Sequence, residues 1–305
     1  VERIIQAIEQ KQAILVYGDF DVDGVTGTAI LMDTLSKLGA SASYYIPNRQ
    51  TEGHGLNNAA LCRIVSSRNI KLVITTDTGI TNFNEVTLLN HLNVDTIITD
   101  HHELPEHLPQ AYAILNPKCL PESSPLAYLC GAGVAYKLCQ ALFKATQSPA
   151  EWSDLLLDLV AIGTVVDMVP LVLENRYLVW KGLQVLQQQN RVGLKALFKH
   201  AGGSTDKDFT AETIGFLIGP RLNAVGRLVQ ANEAVTLLTT PDEAEADTLA
   251  KQIEQYNRKR RQLVEDSVVK AKAHLERTGS PAEDEKAIIL ASADFHAGVV
   301  GLMAT

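Results

Sequence analysis

The stretch Ala13-Ile-Leu-Val-Tyr-Gly-Asp-Phe-Asp-Val-Asp-Gly24 joins a buried-strand pattern to a run of aspartates. Its first five residues are apolar or aromatic, which is typical of a strand covered on both faces. Asp19, Asp21 and Asp23 then alternate, and in an extended segment their side chains would point to one side. Because clustered carboxylates repel one another, the alternation indicates either a cation site or a group of turn and capping residues.

Two familiar metal motifs are excluded by spacing. An EF-hand calcium loop shares the D-x-D-x-D-G pattern, but its twelfth position here is Ile30 instead of a bidentate Glu, and a strand precedes the loop. The segment His102-Glu-Leu-Pro-Glu-His107 has the wrong histidine spacing for a zinc-protease helix, and it contains a proline.

Short apolar runs alternate with helical patterns over the first 120 residues. The runs predict strands over 13–17, 43–46, 71–75, 95–99 and 111–115. The intervening patterns predict helices over 25–38, 57–67 and 81–92, the first of them ended by Gly39. Repeated βα units predict an α/β fold with a doubly wound, mostly parallel sheet.

The pattern becomes helical after about residue 126. Helices are predicted over 131–146, 151–166, 175–189, 211–218 and 230–238, followed by a long polar helix from roughly 242 to 276 and a strand over 287–291. We therefore expect a metal-binding domain over 1–170, a helical extension over 171–241, a connector helix over 242–280 and the start of a second α/β domain over 281–305. Both ends fall within a pattern, so a piece of a longer protein is expected.

Composition indicates a globular protein of about two domains. The 305 residues are 46% hydrophobic and 20% charged, with only 20 glycines and 11 prolines, which excludes collagen-like and largely disordered chains. The net charge of −8 does not favour general attraction to a polyanion. The four cysteines form no C-x-x-C pair, and no apolar run reaches the ~18 residues of a membrane span. A cytoplasmic location is expected.

Further acids and histidines follow two of the later predicted strands. Asp77 follows the third strand, and the triplet Asp100-His101-His102 follows the fourth. In open α/β sheets the carboxyl ends of parallel strands meet at one crevice, so these groups should lie beside Asp19, Asp21 and Asp23. Carboxylates mixed with imidazole suit Mn²⁺, with Mg²⁺ as the harder substitute. The sequence therefore predicts a metal site at this crevice.

These segments resemble the four metal motifs of the DHH phosphoesterases, in order along the chain: Gly18-Asp-Phe-Asp-Val-Asp-Gly24, Asp77-Thr-Gly79, Asp100-His101-His102 and Val166-Asp167-Met-Val-Pro170. Other segments are similar to the RecJ group, bacterial single-strand-specific 5′→3′ DNA exonucleases. They are Ile46-Pro-Asn-Arg49 with Glu52-Gly-His-Gly-Leu56, Leu129-Cys-Gly-Ala-Gly-Val134, Gly219-Pro-Arg-Leu-Asn-Ala-Val-Gly-Arg227 and His296-Ala-Gly-Val-Val-Gly301. The resemblance covers nearly the whole chain.

The resemblance implies two divalent cations bridged by Asp77. One would be held by Asp19 and Asp21, and the other by Asp23, His101 and Asp167. It also implies that Asp100 orients a ligand from behind, and that His102 contacts the scissile phosphate or stabilises a neighbouring ligand. Asp77, His101 and His102 are the expected catalytic residues. Asp167 is chosen on the resemblance alone, since an acid in an apolar helix is otherwise an ordinary polar residue with satisfied hydrogen bonds.

For function, the resemblance implies hydrolysis that removes 5′ mononucleotides from single-stranded DNA in recombination and repair. It implies phosphate binding by Arg49, Arg221, Asn223 and Arg227, and a single-strand-binding protein and a repair helicase as partners. Basic residues of the long helix, Lys259, Arg260 and Arg261, fit phosphate binding and a solvated helix face equally well. The alternatives are an oligoribonuclease or cyclic-dinucleotide phosphodiesterase of the same superfamily, or a non-catalytic replisome-associated homologue.

Two departures from the family stand out. The chain ends before most of the second domain and before the oligonucleotide-binding fold of the RecJ group, and His54 occupies a position where a tyrosine is expected. We therefore expect this chain to bind metal and to lose most activity on long single strands.

Overall fold

Five parallel strands form one sheet in the computed structural model, which describes residues 1–203, 209–278 and 288–304. The strands are β1 (Ala13–Gly18), β2 (Ala42–Tyr45), β3 (Ile70–Thr76), β4 (Asp95–Thr99) and β5 (Ala113–Leu115). Their spatial order is β2-β1-β3-β4-β5, and each neighbouring pair is parallel. The predicted parallel sheet is confirmed, with each strand within two residues of its expected bounds.

The helices of the described residues surround this sheet and extend beyond it. They are α1 (Glu2–Glu9), α2 (Val22–Lys37), α3 (Asn58–Arg68), α4 (Phe83–His91), α5 (Gly131–Ala145), α6 (Glu151–Asp154), α7 (Leu157–Val166), α8 (Leu173–Gln187), α9 (Val192–His200), α10 (Gly219–Leu228), α11 (Asn232–Thr239), α12 (Glu243–Thr278) and α13 (Val300–Met303). A π-helical segment, Thr213–Ile218, leads directly into α10.

Alternating side chains of the central strands fill two separate cores. Leu15 and Tyr17 of β1 pack with α3 and α4 on one face, whereas Ile14 and Val16 pack with α2 and α5 on the other. Because side chains alternate across a strand, helices on both faces require apolar residues at every position, which β1 supplies. The doubly wound arrangement is therefore confirmed.

The strand order reverses its direction between β1 and β3. The chain leaves β1 towards β2 on one side and returns to β3 on the other, so the loops after β1 and β3 diverge. In open α/β sheets a crevice forms at this reversal, at the carboxyl ends of the strands. The segments that follow β1, β3 and β4 carry Asp19, Asp77 and Asp100, respectively.

The helical half differs in detail from the prediction. The helix predicted over 151–166 is interrupted at Leu155 and Leu156, and α9 and α10 were not predicted as helices. Of the strand predicted over 287–291, Ala287 lies outside the described residues and 288–291 adopt no regular structure. No helix in the described ranges is both long and apolar enough to cross a membrane. The proposed domain boundaries stay predictions.

Candidate metal centre

The aspartate loop is a tight strand-to-helix turn instead of the extended segment that the alternation suggested. Strand β1 ends at Gly18 and helix α2 begins at Val22, so only Asp19 and Asp21 precede the helix. Asp21 is the N-cap residue, and its carboxylate accepts the N–H of Gly24 at 3.1 Å. This capping bond satisfies a helix-end donor and starts α2 three residues earlier than predicted. The carboxylates converge because the chain turns, and the extended geometry was wrong.

Asp23 is buried in the first turn of α2 and binds the start of α5. Its two oxygens accept the N–H groups of Gly131 at 2.5 Å and Ala132 at 2.8 Å. Burial raises the pKa of Asp23, and the nearby His101 opposes that shift. A helix N-terminus carries partial positive charge, so α5 stabilises the ionised carboxylate.

Asp77 lies just after β3 in a left-handed backbone conformation, with φ of 61°. Its N–H donates to the carbonyl of Thr99 at 3.0 Å, which links the ends of β3 and β4. The side chain is buried, and burial together with the charges of Asp23 and Asp21 raises the pKa of Asp77 well above its usual range. Strained backbone of this kind at a non-glycine residue is typical of functional sites.

His101 faces three carboxylates at once. Its Nε2 lies 3.1 Å from Oδ1 of Asp77, 3.6 Å from Oδ2 of Asp23 and 3.7 Å from Oδ2 of Asp167. Burial lowers the pKa of His101, although Asp23 favours its charged form. A neutral imidazole is the form that binds a metal ion.

Two buried atoms at this point lack hydrogen-bond partners among the described residues, namely Oδ1 of Asp77 and Nε2 of His101. Buried polar atoms are nearly always paired in proteins, so two facing unpaired atoms call for a further ligand. A carboxylate oxygen and an imidazole nitrogen both donate electron pairs, and a divalent cation satisfies both together. The residues present therefore fit a metal ion.

Asp167 reaches the centre from the carboxyl end of α7. That helix packs closely on the site, because a Cβ at Gly163 would stand only 2.8 Å from Oδ1 of Asp23. Burial, followed by the charges of Asp23 and Asp21, raises the pKa of Asp167 to about 7. Burial and the charge of Asp21 likewise raise the pKa of Asp19 to about 7. Uncompensated acids of this kind indicate that positive charge is needed here.

The potential ligand atoms form groups of three within 4.8 Å of one another. The groups are Asp19 with Asp21 and Asp77, Asp23 with His101 and Asp167, and Asp77 with His101 and His102. The first two groups parallel the division that the family resemblance implies, and Asp77 belongs to two of the three. The structure brings every predicted metal residue together, and the assignment of each to a particular ion stays a prediction.

Asp100 organises the histidine loop from behind. Its Oδ1 accepts the Nδ1–H of His102 and the N–H of His101, both at 2.7 Å, and its Oδ2 accepts the N–H of Ile80 at 2.9 Å. Burial opposes ionisation of Asp100, but the bonds from His102 and Ile80 hold its pKa below the ordinary value. The bond to Asp100 raises the pKa of His102 to about 9. The side chain of His102 is 60% exposed.

Arg49 and Arg227 lie beside the aspartate loop. The Arg49 guanidinium stacks on the ring of Phe20 at 5.0 Å from its centroid. Helix α10 abuts the same residue, because a Cβ at Gly226 would stand 2.3 Å from the Phe20 carbonyl oxygen. The Arg227 guanidinium donates to the carbonyl of Gly298 at 3.1 Å. The structure thus places both of these predicted phosphate ligands near the acids.

Arg221 and Asn223 have other contacts. The buried Arg221 donates from Nε to Glu254 at 2.7 Å and from Nη1 to the carbonyl of Leu217 at 2.7 Å, so its guanidinium is used inside the protein. The Asn223 amide oxygen accepts the N–H of Val22 at 3.2 Å. This bond ties α10 to the first turn of α2. Arg221 thus braces α12 and Asn223 supports the aspartate loop, and phosphate binding by either residue stays a prediction.

Sequence reasoning missed two structural supports of the site. Glu52 accepts the hydroxyl of Tyr45 at 2.6 Å and the N–H of Asn48 at 2.7 Å, which shapes the loop that carries Arg49. The N–H groups of Gly131 and Ala132 hold Asp23. Glycines 131 and 133, at the predicted start of a helix, are the sequence signal that could have indicated the second support. The departure His54 stacks on Phe20 with ring centroids 4.5 Å apart, largely exposed to solvent.

The fold and this centre define a class of protein: doubly wound α/β domains that gather carboxylates and histidine at strand ends to bind divalent metal. Comparison with known proteins agrees. Residues 13–164 match the DHH family, N-terminal domain. The single-stranded-DNA-specific exonuclease RecJ of Bacillus subtilis is 44% identical over all of this chain, which spans 37% of that protein.

Two solved structures resemble the chain over 99% of its length. An exonuclease RecJ bound to manganese is 35% identical with a TM-score of 0.88, and the chain covers 74% of it. RecJ from Thermus thermophilus in complex with Mg²⁺ is 32% identical with a TM-score of 0.72, and the chain covers 40% of it. The chain belongs to the DHH family and, within it, to the RecJ group.

Proposed function

We propose that this chain carries the catalytic centre of a metal-dependent, single-stranded-DNA-specific 5′→3′ exonuclease that releases 5′ mononucleotides by phosphodiester hydrolysis. The observation that carries the proposal is the adjoining pair of ligand groups, Asp19 with Asp21 and Asp77, and Asp23 with His101 and Asp167. The RecJ relatives support the substrate. The chain spans 37% of its Bacillus subtilis relative, so the activity of that relative is carried over here only as a proposal.

Two divalent ions held by such a centre would supply an activated water and neutralise charge on the phosphoryl oxygens. The chain's own residues do the remaining work. Asp77 lies where it can serve both ions, and α5 fixes Asp23 through two N–H bonds. His102, held by Asp100 and carrying a proton, offers a hydrogen bond to a phosphate oxygen. Arg49 and Arg227 provide guanidinium groups for the strand backbone.

We propose Mn²⁺ as the favoured ion and Mg²⁺ as a working substitute. The centre contains an imidazole among carboxylates, which suits Mn²⁺, while the carboxylates alone suit Mg²⁺. The RecJ structures carry manganese in one case and magnesium in another, which supports either ion. Single-stranded DNA is the proposed partner, with a single-strand-binding protein and a repair helicase acting beside it in the cytoplasm.

The direct test is digestion of single strands labelled at the 5′ or the 3′ end, with RNA and duplex DNA in parallel, in Mn²⁺ and in EDTA. We expect Mn²⁺-dependent release of 5′ mononucleotides from DNA single strands. Release from 3′ ends would overturn the polarity, and cleavage of RNA alone would favour an oligoribonuclease. No hydrolysis even of short single strands, by a chain that binds Mn²⁺, would favour a non-catalytic homologue.

A matched pair of variants tests the centre itself. Asp77→Ala should abolish hydrolysis while the circular-dichroism spectrum stays unchanged, because a ligand common to both ions is lost. Glu122→Ala, at an exposed acid outside the centre, should retain full activity. Near-normal rates for Asp77→Ala at saturating Mn²⁺ would refute the two-metal scheme.

A further inference from the structure

We propose that Arg260 of α12, held in place by Asn257, joins Arg49 and Arg227 in one anion-binding cluster for a backbone phosphate of the single strand. The proposal rests on the proposed function and adds a residue from the long helix to the substrate path. The sequence left Arg260 undecided between phosphate binding and a solvated helix face.

The arginines of the described residues differ in their partners and in their exposure. Several bind carboxylates within the protein: Arg3, Arg191, Arg221 and Arg258. By contrast, Arg49, Arg227 and Arg260 are half-buried and make no ion pair with a carboxylate in the parts of the chain that the structure describes, where the other arginines without such a pair are exposed. The net charge of the protein is −8, yet these three half-buried arginines have no carboxylate partner in the described ranges. Their positive charge is therefore available to bind an external anion.

Helix α10, which carries Arg227, packs on helix α12, which carries Arg260. Arg221 of α10 and Glu254 of α12 form a buried ion pair, with Nε and Oε2 2.7 Å apart. Asn257 lies three residues beyond Glu254, on the same side of α12, and is also buried. Because Asn257 binds the guanidinium of Arg260, that guanidinium lies against the buried side of α12 near the contact with α10.

The third arginine approaches from the loop after β2. Gln50, next to Arg49, donates from its side-chain amide to the carbonyl of Arg227 at 3.4 Å. Burial and then the positive charges of Arg49 and Arg260 lower the pKa of Arg227. These arginines therefore lie close enough to repel one another, and a bound anion would relieve that repulsion.

Asn257 makes Arg260 different from its neighbours. Asn257 is buried, and its Oδ1 accepts both Nε of Arg260 at 3.3 Å and Nη2 at 3.0 Å. These two hydrogen bonds fix the plane of the guanidinium and leave Nη1 for a ligand. Lys259 and Arg261 are exposed on the same helix, whereas Arg260 is half-buried. A fixed, planar cation suits the paired oxygens of a phosphodiester.

The test compares Arg260→Ala with Lys259→Ala, which removes the same charge from an exposed position one residue away. Binding of a fluorescent 5′-phosphorylated dT12 strand is measured in EDTA at several salt concentrations. We expect Arg260→Ala to weaken binding about tenfold and to reduce the slope of log affinity against log salt by about 0.7, as for one lost phosphate contact. Lys259→Ala should change binding less than twofold, and Arg260→Lys should recover the slope without the full affinity.

Equal effects of Arg260→Ala and Lys259→Ala on binding would overturn the proposal. Mn²⁺-dependent digestion by the unaltered chain is followed alongside. If that digestion proceeds while the two variants bind alike, the proposed function stands and Arg260 has no special role. If the unaltered chain neither binds nor digests single strands, the proposed function itself fails. Thermal melting of each variant confirms that the fold is retained.

Discussion

A methyl group at Gly131 should disrupt the centre although no ligand residue is replaced. The first residue of α5 lies so close to the site that a Cβ there would stand 2.6 Å from Cβ of Asp77 and 2.9 Å from Oδ2 of Asp23. Carbon atoms in good contact lie about 3.5–4.0 Å apart, so Gly131→Ala requires a separation of roughly 1 Å. Asp77 cannot yield easily, because its N–H is bonded to Thr99 in the adjoining strand.

The consequence for Asp23 follows from the hydrogen bonds. Moving the start of α5 by about 1 Å lengthens the 2.5 Å bond from Gly131 N–H to about 3.5 Å, beyond hydrogen-bonding range. A bond to a charged group contributes about 1.5–3 kcal/mol, against about 1 kcal/mol gained from alanine in a helix. The free energy of unfolding should therefore fall by about 0.5–2 kcal/mol. A displacement of this size in a catalytic centre should lower the rate about 100-fold.

Gly133→Ala is the matched control on the same helix. The three atoms nearest to a Cβ at that position all belong to the buried Leu129, at 3.0 Å for Cδ2 and 3.3 Å for Cβ, and not to the metal centre. Urea denaturation in EDTA and Mn²⁺-dependent digestion are measured for both variants. Gly133→Ala should digest normally, whatever its effect on the free energy of unfolding. Identical behaviour of the two variants would refute the argument that α5 positions Asp23.

Other predictions concern charge and support. Asp77→Asn should raise the melting temperature in EDTA, because an ionised carboxylate with a raised pKa destabilises the folded state at neutral pH. Asn also tolerates the left-handed backbone at this position. For the unaltered chain, Mn²⁺ at a hundredfold excess over Kd should raise the melting temperature by about 5 °C, and Asp77→Asn should remove that rise. Arg221→Leu removes the buried partner of Glu254 and leaves it only the exposed Arg258, so urea denaturation should show a loss of about 2 kcal/mol, and reduced strand binding at unchanged stability would contradict that structural role. Glu52→Gln should weaken single-strand binding through the loop that carries Arg49, measured by fluorescence anisotropy, while Mn²⁺ affinity stays the same; unaltered binding would show that Glu52 does not position that loop.

The sheet and most of the centre could be predicted because their signals are local. Continuous apolar runs separated by helical patterns specify strands covered on both faces, and the structure reproduces the predicted strand at 95–99 residue for residue. In a parallel sheet, motifs that follow separate strands must meet at one edge. The sequence therefore predicts that Asp19, Asp77 and His101 lie close together.

Errors arose where a distant segment decides the local conformation. Helix α9, which is only nine residues long, was not predicted, and the predicted helix over 151–166 is interrupted after Asp154. The internal contacts of Arg221 and Asn223 could not be predicted either. Their contacts, with Glu254 in one case and Val22 in the other, lie 33 and 201 residues away along the chain.

The sequence by itself determined the fold class, the chemistry of the ligands and the crevice that gathers them. These follow from side-chain types and from the order of strands and helices along the chain, both of which can be recognised in short segments. Only the tertiary structure decided how Asp23 is held by α5, which arginines are consumed by internal carboxylates, and which, like Arg260, remain without one. The physical reason is that a side chain's charge is fixed by its identity, whereas its partner is fixed by packing between segments far apart in the chain.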